Sequence, residues 1–514
     1  MARFGTHRPL PGQRMPGSLV SDLTVSNSPS AGDPLIAAYN DVAYVGVPNG
    51  ASHPDHLACV ARLLGLDTAP VANCRVLELG CGDGANLVPM AATLPDATFV
   101  GCDFAQRPIE RARRMAADLG LTNITLSCAD VRELPPDLGT FDFVIAHGLY
   151  SWIPAEVRAH VMPLIARHLA PNGVAFVSYN TYPGCHIRQA AWEMLKFHVR
   201  DIPDVKQKLP AVRGLIELLC DPARPQHPND EALRAELANM ARLSDSALCH
   251  DDLSEPNIPV YFHEFQADAA RSGLTFLAEA ELQLMLASSA TPRVRQALGQ
   301  MDRLTREQYL DFVLFRRYRQ SLLCHAQALS QFVMRPPRAA AMHAYASPGL
   351  RRASAADMAN LAQHPDVRAV KEAVLARWPA SIAVAELAQA HATVSGASGN
   401  ARKSLETLIV ELWVSGVIGL RQQPPAVAVA VSDRPVAFGP ARWIGREFNQ
   451  VPNLYHEGIE LQDATGRALL QLLDGRHTRA ELIATIGGPY ARPDGTVQLE
   501  QGLARLARLA LLVA

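Results

Sequence analysis

VLELGCGDG, residues 76–84, reads as a short buried strand breaking into a glycine-rich turn, and a helix starting near Asn86 follows it. Gly80, Gly82 and Gly84 permit a tight turn and let the backbone approach a ligand where a Cβ would collide. The helix aims its N-terminus at that ligand. Outward from this stretch, the strand-like runs ATFVGCD (97–103), ITLSCAD (124–130), FDFVIAHG (141–148) and GVAFVSYN (173–180) alternate with helix-like stretches at 86–94, 106–119 and 154–169. Such alternation builds βαβ units on a parallel sheet covered on both faces, and the middle runs are apolar as doubly buried strands should be. The expected fold is a Rossmann-like, doubly wound α/β sheet.

Beyond Asn180 the pattern turns helical to about residue 270. LTFLAEAEL (274–282) and YRQSLLCHA (318–326) then offer two further strands, with helical insertions near 200–260 and 283–316. In the last third, the triplet Ala-Glu-Leu falls at 385–387 and again at 480–482, within two stretches of similar outline. Each runs helix, turn, short helix, longer amphipathic helix and apolar strand-like end, which is the outline of a winged helix. The domains expected are a disordered tail (1–34), a ligand-binding α/β domain (35–330), and two winged-helix-like α+β units (331–430 and 431–514). RQQPPAVAVAVSDRP (421–435) reads as an extended spacer between those units.

Composition narrows the function. Lys+Arg 48 against Asp+Glu 50 gives a net charge of −2 over 514 residues, which provides no whole-chain grip on nucleic acid or anionic membrane. No run approaches the roughly 18 apolar residues of a membrane-spanning helix. Nine cysteines, none in a CxxC pair, indicate reduced thiols and a cytoplasmic location rather than a disulfide framework. The Pro-, Gly- and Ser-rich first 34 residues lack the apolar core of a secretory signal.

The ligand follows from charge. The spacing G-x-G-x-G differs from the G-x-G-x-x-G that accommodates a pyrophosphate. Glu78, two residues before the first glycine, favours a cationic group and repels a phosphate. Asp103 ends the second strand 25 residues later, where an acid binds both ribose hydroxyls. Asp130 ends the third strand, within reach of an adenine amino group, and Phe104 either stacks on adenine or packs in the core. Adenine, ribose, no phosphate and an amino-acid tail describe S-adenosylmethionine (AdoMet), not NAD.

These motifs resemble those of class I AdoMet-dependent methyltransferases. YNDVAY with SHP (39–54), IAHGLYSWIP (145–154), SYNTYPGCH (178–186), VYFHEF (260–265) and FRRYRQSLLCH (315–325) are similar to bacterial members that carry a methyltransferase regulatory domain. By this resemblance the chain is also similar to the protein-lysine methyltransferases of rickettsial outer-membrane proteins. YVGVPNGASHP (44–54) departs from the family's usual aromatic-containing segment. The resemblance implies a cofactor set of Tyr39, Glu78, Gly80, Cys81, Gly82, Gly84, Asp103, Phe104, Asp130, Val131 and His147, with Cys81 as a space-filler rather than a nucleophile. It also implies a protein substrate, an envelope or outer-membrane protein among the candidates, and leaves a homodimer open.

Tyr150 and Trp152, after the fourth strand, and Tyr182, after the fifth, are the residues expected to line an aromatic slot for a cationic amine. Core packing is the competing reading for all three rings. No carboxylate stands out as a base. His250, Asp252, Glu255 and His263 match no metal-binding spacing, and no metal is expected. Three functions stay open: a protein-lysine methyltransferase with a groove-like acceptor site, a small-molecule methyltransferase with a closed pocket, and a DNA-associated regulator using the winged-helix-like units. The third is disfavoured because SLETLIVELWVS (404–415) carries two glutamates and no Arg or Lys. The C-terminal units are expected to contribute to acceptor choice and not to cofactor binding.

Overall fold

The computed structural model describes residues 46–224, 227, 230–329, 331–354, 364–388, 404–487, 492 and 494–514. The expected tail (1–34) and Tyr39 lie outside them. Helix α1 (Pro54–Leu63) comes first, its N-terminus capped by the His53 ring, which accepts from the Asp55 N–H. Five strands then alternate with helices as the apolar runs predict: β1 (Arg75–Leu79), α2 (Leu87–Thr93), β2 (Thr98–Asp103), α3 (Gln106–Asp118), β3 (Ile124–Cys128), β4 (Phe141–Ala146), α4 (Ala155–His168) and β5 (Leu169–Asn180). These strands pair in parallel.

The two later candidates, β6 (Leu274–Glu279) and β7 (Tyr318–His325), complete a seven-stranded sheet of order β3-β2-β1-β4-β5-β7-β6. Both pairings involving β7 are antiparallel, so the sheet is mixed at this edge rather than doubly wound throughout. β7 carries Arg319 into the interior, where it meets Glu279 at 2.5 Å, Asp311 at 2.8 Å and Glu307 at 3.4 Å. This fully buried network ties the insertion helix Arg303–Leu314 to the sheet edge.

The first helical insertion starts earlier than expected, at Cys185. The helices Cys185–His198, Val205–Leu219 and Glu231–Met240 enclose a small core of their own around Trp192, Leu195, Val212 and Leu237. Trp192 and Leu195 on the first of these helices are buried and anchor it to this core.

In the last third, a helix leads into a paired strand twice. In the first, Leu405–Val414 leads into Ile418–Arg421, which pairs with His343–Ala346 in a three-stranded sheet. In the second, Gly495–Arg508 leads into Leu512–Val513, which pairs with Val436–Ala437. Leu387 and Leu482 of the repeated triplet are both buried, at 1% and 0% exposure. Helix Leu405–Val414 buries Leu405, Leu408, Ile409, Val410, Leu412 and Trp413, which commits it to packing.

Residues 421–435 are not a spacer. Arg421 is buried, Val427 bridges Val513, and the Gln422 and Gln423 N–H groups donate to Asp55 at 2.6 and 2.9 Å. Helix α1 is thus sandwiched between the main sheet and the C-terminal units, and one continuous apolar core runs through all three. Further out, the Arg111 guanidinium lies over the Trp443 and Phe448 rings and pairs with Glu447, and Trp443 Nε1–H donates to Asp118 at 2.8 Å. Among the described residues no helix is long and apolar enough to cross a membrane.

Candidate active site

In an open α/β sheet, ligands bind beyond the carboxyl ends of the strands where the strand order reverses. Here that point lies between β1 and β4, and a cavity of about 400 Å³ opens there. One wall holds Glu78, Gly80, Cys81, Gly82, Asp83, Asn86, Asp103 and Phe104; the ends of β4 and β5 add His147, Leu149, Trp152 and Asn180. The opposite wall holds Cys185, Arg188, Asp251, Arg317 and Tyr318.

Glu78, the penultimate residue of β1, is 2% exposed. Asn86 Nδ2 donates to Oε1 at 2.7 Å, whereas the buried Oε2 has no hydrogen-bond partner. Burial, opposed by the Asn86 bond and assisted by the nearby Asp103 and Asp83 charges, pushes its pKa up to about 7. Asp103 accepts from Ala105 N–H at 2.8 Å through Oδ1 and from Gly82 N–H at 2.9 Å through Oδ2. Two such bonds leave lone pairs for further donors. Burial raises this carboxyl as well, against those two backbone bonds.

The glycines divide by role. Gly82 sits at φ +52° and a Cβ there would meet nothing within 4 Å, so the space above it is vacant for a ligand. At Gly84, φ +76°, a Cβ would fall 2.8 Å from Ala112 Cβ, so this glycine serves close packing of the turn on α3. Cys81 lines the cavity, but burial drives its thiol well up, which fits filler rather than nucleophile.

The His147 ring is held on both sides. Asn49 Oδ1 accepts from Ala51 N–H, which fixes the amide and makes Nδ2 the donor to His147 Nε2 at 3.3 Å. The Nδ1–H therefore donates to Ser178 Oγ at 3.0 Å. Burial lowers its pKa to about 4, so the ring is neutral.

Several expected residues stand elsewhere. Asp130 lies off the cavity, gripped by Arg132 Nη2 at 2.6 Å, and Val131 packs in the core beneath it. The Tyr150 hydroxyl donates to Asp268 at 2.6 Å while its ring packs edge-on against Tyr179 and Phe265, so it is a core residue. Tyr182 stacks on His186 at 4.1 Å and donates to Gln189 at 2.9 Å, away from the cavity. Of the three expected rings, only Trp152 faces the cavity, and its buried Nε1 has no partner.

The opposite wall was missed as a site. A π-helical turn, Leu248–Asp252, presents Asp251 to the cavity. Arg188 pairs with Asp252 at 2.7 Å and with Glu236 at 3.3 Å, and Arg317 pairs with Glu236 at 2.7 Å, so two guanidinium charges face two carboxylates and Asp251 adds a third carboxylate within the field of Arg188. Burial and the Asp252 charge, opposed by the Arg188 guanidinium, raise its pKa to about 6. Glu255 turns outward to Lys196 and the His263 ring bonds Gln308, so the acids and histidines of 250–263 do not converge.

The cavity fits an adenosyl amino acid. The orphaned Glu78 Oε2 suits an ammonium, the Asp103 carboxylate suits vicinal hydroxyls, and the bare Gly82 permits close approach.

Comparison with known proteins agrees with this geometry. Residues 76–173 match the family model described as a methyltransferase domain, residues 244–325 a predicted methyltransferase regulatory domain, and residues 433–511 a PKMT C-terminal winged helix domain. The chain is 35% identical over 289 residues to the uncharacterized protein RP789 of Rickettsia prowazekii, across 56% of this chain but only 52% of that protein. It is 30% identical to RP028 of the same organism over 241 residues, which cover 47% of this chain and 96% of that protein. The structure of PKMT2 from Rickettsia typhi is similar with a TM-score of 0.78 at 21% identity, covering 92% of this chain and 100% of that one. A second structure of that protein, in complex with AdoHcy, is similar at 22% identity with the same TM-score of 0.78 and the same coverage of both chains.

Proposed function

The chain belongs to the AdoMet-dependent methyltransferases that carry a methyltransferase regulatory domain, and on that premise we propose that it methylates lysine side chains of a protein substrate. When bound, AdoMet would supply a methyl group for in-line transfer to a nucleophile, the S–CH3 bond breaking as the new bond forms and S-adenosylhomocysteine leaving as the neutral thioether. Glu78 Oε2 would receive the ammonium of its amino-acid end, Asp103 the ribose hydroxyls, and Phe104 the face of the adenine.

The chain's own residues then have to align a nucleophile and exclude water. A lysine amine must reach the methyl group uncharged. From a free pKa of ~10.4, deprotonation at pH 7 costs roughly 4–5 kcal/mol at ~1.36 per unit. Asp251 attracts the arriving ammonium and can take its proton, because its raised pKa narrows the gap between the two groups. Trp152 lines the same cavity and supplies an aromatic surface suited to a cationic amine.

The observation that carries the reading is the charge balance around the cavity: Arg188 and Arg317 are paired with Asp252 and Glu236, and Asp251 is a third carboxylate, lining the same cavity as Trp152. An amine acceptor answers that surplus; a carboxylate acceptor would oppose it. The resemblance to rickettsial PKMT2 supports the same choice, taken as a protein-lysine methyltransferase. Exposed Tyr309, Phe312 and Phe315, on the segment leading to cavity residues Arg317 and Tyr318, offer apolar surface for a polypeptide. The test is to incubate the protein with methyl-labelled AdoMet and separate envelope and cytosolic extracts. Label in protein supports the reading; label only in small molecules contradicts it.

A further inference from the structure

Asn86 connects the cofactor wall to the far end of the chain. Its Oδ1 accepts from Asn49 N–H at 3.0 Å, which fixes the amide so that Nδ2 donates to Glu78 Oε1 at 2.7 Å and Ser52 Oγ at 3.1 Å. His456 Nε2 stands 2.9 Å from the same Oδ1, and because that oxygen only accepts, the ring donates from Nε2.

His456 lies in the turn between Gln450–Pro452 and Gly458–Glu460 of the C-terminal unit, 2% exposed, at φ +62°. A left-handed backbone is uncommon for a side-chain-bearing residue and persists only where the surroundings enforce it. They do so here. Tyr455 and Glu457 N–H both donate to Asn453 Oδ1, and Arg351 grips Glu457 at 2.7 Å. Burial and Arg421 hold the ring's pKa down to about 3, so it stays a neutral donor.

We infer that His456 is a positioning residue for the cofactor: acting through Asn86, it keeps the Glu78 carboxylate turned so that Oε2 faces the cavity. The C-terminal unit is thereby part of the cofactor site, in contrast to the separable role expected from sequence. The inference rests on Glu78 as the acceptor of the AdoMet ammonium.

The test uses calorimetry of S-adenosylhomocysteine binding to the full chain, with thermal unfolding alongside. His456→Asn tolerates the left-handed backbone but is too short to reach Asn86, whereas His456→Gln restores a donor amide at greater reach. The expected results are about tenfold weaker binding for His456→Asn and at most about threefold for His456→Gln. In a Glu78→Gln background, His456→Asn should change affinity less than about twofold. Wild-type affinity in His456→Asn overturns the relay, as does an undiminished loss in the Glu78→Gln background. Unchanged affinity in Glu78→Gln alone overturns the Glu78 assignment, and the relay with it.

Discussion

The Gly82 N–H donates to Asp103 Oδ2 at 2.9 Å, tying the turn after β1 to the end of β2. One carboxylate thus shapes the turn and faces the ligand. Asp103→Ala removes both the tie and the acceptor, and charge-assisted bonds are worth roughly 1.5–3 kcal/mol each. Calorimetry should register at least about a tenfold loss of affinity for S-adenosylhomocysteine in a folded variant. Undiminished binding would remove Asp103 from the site.

Cofactor affinity should rise with pH across neutrality. The Glu78 pKa of about 7 means that this carboxyl is largely protonated at pH 6, and a cationic ligand requires the ionised form. Binding therefore releases a proton below pH 7, and affinity should increase by about tenfold between pH 6 and 8 before levelling. Calorimetry in two buffers of different ionisation enthalpy measures the proton. A flat profile, or an equal slope in Glu78→Gln, would rule Glu78 out as the titrating group.

Two neighbouring aromatic residues should behave oppositely. Tyr150→Phe loses the bond to Asp268 and should cost about 1–3 kcal/mol of stability while leaving transfer per folded molecule unchanged. Trp152→Ala should slow transfer at saturating cofactor without weakening cofactor binding, and Asp251→Asn should do the same. Single-turnover rates set beside unfolding curves separate the two effects.

Arg319→Met should cost about 3–5 kcal/mol, because it removes the ion-pair partner of the buried Glu279 and leaves the buried Glu307 and Asp311 to share Arg316 alone. Chemical denaturation of the variant measures this. A loss under about 1 kcal/mol would show that the network is not structural.

The strands of the main sheet were legible because each is an apolar run between turn residues. Glu78 and Asp103 were legible because both sit at the ends of adjacent strands, where a local motif fixes their direction. Tyr150 and Trp152 are two residues apart in an irregular turn, where no periodicity says which faces inward. Asp251 and Arg317 reach the cavity from insertions far along the chain, although SYNTYPGCH and FRRYRQ already flagged the neighbouring segments. His456 was invisible, because its partner Asn86 is 370 residues away and belongs to another unit. The mixed edge of the sheet was likewise a matter of topology, since an antiparallel β7 reads like any other apolar strand.

The most direct test of the central claim is the chemical identity of the methylated group. Protein labelled by the full chain with methyl-labelled AdoMet should be digested to amino acids and analysed by mass spectrometry. The account predicts the label in methyl-lysine, strongly reduced with Asp251→Asn. Label confined to carboxyl esters, other amino acids or free metabolites, with no methyl-lysine, would contradict it.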